Sequence, residues 1–78
     1  MTLDRSKVNS NYIIQKLDLP LHVEKRLMAL GMTAGTKISV LNSKNHGTLI
    51  IKVRGTRLAL GKEITQKIIV RRYLWNKI

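Results

Sequence analysis

The sequence predicts a mainly β fold, a small antiparallel β-barrel carrying two short helices. Three observations lead there. Apolar and polar residues alternate over 37–42 and again over 48–54, the two-residue period of strands with one buried face. Gly31, Gly35, Gly47 and Gly55 punctuate the chain where such strands must turn. A chain of 78 residues makes one domain, with no room for a cofactor fold beside a separate substrate domain. A domain of this size buries only about 60% of the surface its unfolded chain exposes, so its core must be efficient. Ile, Leu and Val supply 25 of the 34 hydrophobic residues, enough for one compact aliphatic core.

The elements follow in order. Residues 1–10 carry few apolar side chains, Leu3 and Val8 among them, and read as a loosely ordered end before a domain spanning 11–75. Asn11 to Leu17 is β-branched and aromatic, which suits a first strand. Pro20 fits the first turn of a helix, with Asp18 placed to cap its free amides. Val23, Leu27 and Leu30 then recur at spacings of four and three, one apolar stripe on a helix over 21–30. Gly31 follows the last periodic residue, where a helix commonly ends in a left-handed conformation. Beyond the turn at 33–35, Ile38 and Val40 share one face of a second strand. The polar run Asn42 to Gly47 is a hairpin loop. Leu49, Ile51 and Val53 face inward on the next strand, with Lys52 and Arg54 outward. Thr56 to Leu60 forms a fourth strand, Gly61 to Gln66 one or two helical turns, and Ile68 to Arg72 a last strand. The expected core is Val23, Leu27, Leu30, Ile38, Val40, Leu49, Ile51, Val53, Leu58, Ile68 and Val70.

Composition narrows function. Cysteine is absent, which removes disulfides, thiolate catalysis and Cys-type zinc sites together. No apolar run is long enough to cross a membrane or to act as a signal peptide, so the expected location is the cytoplasm. Fifteen Lys or Arg stand against Asp4, Asp18, Glu24 and Glu63, a formal net charge of +11. Such a field favours acidic partners, whether nucleic acid, an anionic membrane face or an acidic protein.

Enzymatic chemistry finds little support. The candidate metal ligands are His22, His46 and the four carboxylates, scattered where a site needs three or four converging groups. Gly31 to Lys37 resembles a phosphate loop at first sight, but the glycine spacing is three, Thr36 precedes Lys37, and the order is helix then strand. No nucleophile with its base and no paired carboxylates stand out, so a non-enzyme is expected. The basic, aromatic end from Arg71 to Trp75 keeps a nucleic-acid-binding barrel open as an alternative.

One segment carries a family resemblance. Arg26, Leu27, Leu30, Gly31, Gly35, Ile38 and Val40, at their spacing, resemble the Arg-Leu-x-x-Leu-Gly-Leu-x-Pro-Gly-x-x-Val-x-Val run of the FeoA family, ferrous iron transport protein A. Val53 to Leu60, followed by Ile68 to Val70, looks like that family's second hallmark. The match runs from about Tyr12 to Arg72. Ala34 stands where proline is common, Thr65 replaces a small alanine, and the loop at 42–47 lacks the usual proline-containing run. The resemblance implies an SH3-like barrel. It also implies a cytoplasmic accessory of the FeoB ferrous iron permease, acting by contact with that protein's cytosolic GTPase region. No tightly bound cofactor is implied, with Fe²⁺ association weak or indirect; a metal-sensing module using His22 or His46 is a further alternative. The expected partner surface is a positive patch of Lys52, Arg54, Arg57 and Lys62, followed by the helix face around Leu21, Lys25 and Met28.

Overall fold

The computed structural model describes residues 1–73, and Trp75 lies outside them. Five strands form one antiparallel sheet: β1 Asn11–Leu17, β2 Lys37–Ser43, β3 Leu49–Val53, β4 Thr56–Leu60 and β5 Ile68–Arg72. Two helices interrupt them, α1 Leu21–Ala29 between β1 and β2, and α2 Lys62–Thr65 between β4 and β5. The spatial order is β4-β3-β2-β1-β5, so the two edges belong to β4 and β5 and the barrel is open between them. Register shifts interrupt the pairing in β1 between Ile14 and Lys16 and in β2 between Val40 and Asn42. Such bulges bend a strand and add to its twist, which is how a small sheet curls around a core.

That core is aliphatic, with Ile14, Ile38, Val40, Ile51, Val53, Ile68 and Val70 all but sealed from solvent. Tyr12 is buried with them, and its hydroxyl accepts a hydrogen bond from the backbone N–H of Lys7 at 2.9 Å. Val23 and Leu58 are only half-buried against this cluster. Leu30 departs from the expectation. It caps α1 rather than continuing the helix and is 47% exposed. The buried stripe continues instead through Met32, which the chain reversal carries inward.

The reversal has a complete hydrogen-bond signature. The Met32 N–H donates to the Leu27 carbonyl and the Gly31 N–H to the Met28 carbonyl, both at 2.9 Å, the paired bonds of a Schellman cap. Gly31 has φ +100°, and a Cβ built there would stand 3.0 Å from Cδ of Arg54. The exposed Arg54 side chain can move aside, so the left-handed backbone is the penalty a β-branched residue meets. Gly31→Val should therefore lose more than about 1 kcal/mol of stability, read as a lower urea midpoint; an unchanged midpoint would remove the cap from the folding argument. At the other end of α1, Pro20 is itself the cap residue, its carbonyl accepting from Val23 and Glu24. Asp18 is placed by a different contact from the capping expected of it: its backbone N–H donates to the Lys67 carbonyl at 2.8 Å.

The amino-terminal residues correct the expectation of a loose end. Leu3, within a single 3-10 turn over Leu3–Arg5, is fully buried. That turn packs on β5 and α2. Met1 exchanges two backbone bonds with Val70, at 3.0 and 2.8 Å, and Thr2 pairs with Ile69. The segment thus covers the outer edge of β5, whose N–H and C=O groups would otherwise be open to pairing with another chain. A few apolar residues suffice because the edge supplies the hydrogen bonds.

Candidate functional site

The four cations expected to form one patch occupy three places. Lys52 and Arg57 are directly opposite across β3 and β4, both exposed. Like charges in that register repel, so folding alone gains nothing from the pair. Arg54 is not part of the outward face of β3. The strand ends at Val53, and Arg54 and Gly55 make a two-residue hairpin turn with φ +50° and +81°, the left-handed pair that matches strand twist. The Arg54 stem lies over Gly31 at the carboxyl end of α1, where a cation is favoured by the helix dipole. Lys62 folds over Gly47, its Cδ 3.1 Å from where a Cβ would be.

On α1, Leu21 and Met28 are 64% and 45% exposed, with Lys25 exposed between them. Sequence periodicity had set them outside the buried stripe. It missed the neighbouring feature, an apolar groove of about 330 Å³ between α1 and β4. Val23, Arg26, Leu27 and the cap residue Leu30 line it from the helix side, Leu58 and Leu60 from β4 and Ile64 from α2. The groove runs beside β4, an edge strand with β3 as its sheet neighbour. The edge of β5 is covered by the amino terminus; the edge of β4 is not covered by any described strand. Seeing this from sequence would have required knowing the strand order.

A second hollow, of about 310 Å³, opens on the outward face between β1 and β2, lined by Asn11, Lys37, Ile38, Ser39 and Tyr73. The Lys37 ammonium lies 4.5 Å from the centre of the Tyr73 ring, within cation–π range. Ser39 Oγ donates to Asn11 Oδ1 at 2.6 Å. Tyr73 is half-buried there, and one face of its ring is engaged by Lys37. His22 is exposed on α1, and His46 sits in the turn Asn45–Gly47 between β2 and β3. Among the described residues, no three of His, Cys, Asp and Glu come together. No helix among them is long and apolar enough to cross a membrane.

A five-stranded, incompletely closed antiparallel barrel with a groove beside its free edge defines the class of small SH3-like barrels. FeoA of Stenotrophomonas maltophilia, described as a prokaryotic SH3 domain protein and solved with zinc, superposes with a TM-score of 0.77 at 24% identity, covering 91% of this chain and 89% of that one. FeoA of Chlorobium tepidum superposes with a TM-score of 0.89 at 23% identity, covering 99% of this chain and 74% of that one. A Methanocaldococcus jannaschii protein, named as a candidate Fe(2+) transport protein A, is 31% identical over 65 residues, 83% of this chain and 78% of its own. The FeoA domain family model matches residues 1–72. The chain belongs to the FeoA family.

Proposed function

We propose that this protein is a cytoplasmic accessory of ferrous iron transport that binds the cytosolic region of the FeoB permease and acts by contact, without catalysis. The observation that carries the reading is the groove between α1 and β4. It is apolar and open, Arg26 is among its lining residues, and it borders the outer edge of β4, which no other described strand pairs with. An extended segment of a partner can add to such an edge through main-chain hydrogen bonds while its side chains enter the neighbouring groove. Fe²⁺ is the permease's cargo in this reading and needs no ligands here. Lys52 and Arg57 sit on the same two strands as the groove's edge, where they favour encounter with an acidic surface.

Two classes of substitution separate these contributions in surface plasmon resonance with the permease's cytosolic region. Leu58→Asp places a charge in the groove and should weaken binding at least about tenfold, chiefly through faster dissociation. The double substitution Lys52→Glu and Arg57→Glu should slow association at low salt and leave dissociation nearly unchanged. Full binding by Leu58→Asp, with its fold intact by circular dichroism, would move the contact off the groove. An unchanged on-rate in the charge-reversed variant would remove the steering role.

A further inference from the structure

The outward face around the β1–β2 hollow has a charge pattern that extends well beyond Lys52 and Arg57. Every strand contributes at least one cation, and none of the five carries a carboxylate; the four acids lie at residues 4, 18, 24 and 63, outside the strands. Ile13 pairs with Arg71 on one side and Lys37 on the other. Tyr12 and Ile14 are buried, so Ile13 points outward and its two partners flank it on the same face. Their backbones stand about 10 Å apart, two strand spacings. Ser39 likewise lies between Asn11 and Lys52, which brings a third cation into the adjoining row.

At the middle of these rows, the hollow presents donors. The Ser39 hydroxyl is committed to Asn11 Oδ1, which leaves the Asn11 amide N–H groups to point elsewhere. Lys37 and Tyr73 line the same space, with the Lys37 ammonium over the Tyr73 ring. An ammonium and amide N–H groups are together a donor set for an oxyanion.

We propose that this face docks on an anionic phospholipid bilayer, one lipid phosphate seating in the hollow between Asn11, Lys37 and Tyr73. The choice of a bilayer over other anions rests in part on the permease reading, since that partner is embedded in one. Two features of the face support it independently. β1 and β2 each lie between two neighbouring strands, so their main-chain groups are paired and no acidic peptide can add a strand there. Nucleic acid recognised as a single strand needs free aromatic faces, whereas among the described residues Tyr12 is buried and Lys37 lies over one face of the Tyr73 ring. A bilayer asks for neither. Long basic side chains reach separate headgroups while their stems lie along outward apolar residues such as Ile13.

The test is cosedimentation of the full-length protein with vesicles at low salt. One set contains phosphatidylcholine alone and the other equal parts of phosphatidylcholine and phosphatidylglycerol. Binding should be confined to the anionic set and should weaken as salt is raised. Lys37→Gln with Arg71→Gln should reduce affinity about 25-fold, from about fivefold per cation near the surface. Lys44→Gln with Lys67→Gln removes the same charge elsewhere and should lose much less. Asn11→Leu leaves the charge unchanged, and its expected threefold or greater loss reports the seated phosphate. Equal losses in the two charge-matched pairs would reduce the effect to net charge and overturn the site. Tight binding to a single-stranded oligonucleotide without vesicle binding would overturn the bilayer assignment. No permease is present in the assay, so its failure leaves the groove reading standing.

Discussion

Truncating Leu3 to alanine is expected to destabilise the protein by about 2–5 kcal/mol, the range for a fully buried leucine whose cavity is only partly refilled. Leu3 has no exposed surface and belongs to the same cluster as Ile68 and Val70. Its anchoring acts on more than one side chain. The 3-10 turn that carries it delivers Met1 and Thr2 to the edge of β5. Losing the anchor therefore weakens two main-chain bonds and reopens a strand edge. Equilibrium urea unfolding should show a lower midpoint at a similar slope, the signature of lost native stability rather than an altered unfolded state. A change within about 0.5 kcal/mol, the usual range for surface substitutions, would mean that the amino-terminal segment contributes nothing to the fold. The destabilised protein should also aggregate more readily, because the edge of β5 would then be open to pairing with another chain.

Leu27→Ala should cost a similar amount, about 2–5 kcal/mol, through a different route. Leu27 is the one α1 residue counted as buried, and its carbonyl accepts the Met32 N–H that closes the helix. A nine-residue helix is too short to persist by itself in water. Its attachment thus depends on Leu27, with half-buried Val23 as support. Hydrogen exchange distinguishes local from global effects. Amides of α1 and of the Gly31–Met32 reversal should lose protection first in the variant, ahead of those in β3, which lies between β2 and β4. Uniform loss across the sheet would show that the helix and barrel unfold as one unit. Because Leu27 also lines the groove, binding should be compared only after stability has been matched by temperature.

Features that depend on near neighbours are legible in the residues themselves. Strands β1, β4 and β5 match the expected bounds at Asn11–Leu17, Thr56–Leu60 and Ile68–Arg72, because side-chain alternation and β-branched content are local properties. The Gly31 reversal was legible for the same reason: a periodic apolar stripe followed by glycine is a helix stop within one turn. The family match was readable from spacing in two short blocks. Other features depend on contacts between distant parts of the chain. Leu3 is inside because the edge of β5 holds Met1 and Thr2, residues some seventy positions away in the chain. Leu30 is outside because the Schellman cap turns the backbone at that residue and sends Met32 inward in its place. Arg54 left the expected face because Gly55 and strand twist select a two-residue turn. The groove and the hollow are further cases, since β4 faces α1, and Asn11, Lys37 and Tyr73 converge, only after the register of the sheet is set. Register arises from cooperative burial of one face across all five strands, and no stretch of sequence specifies it alone.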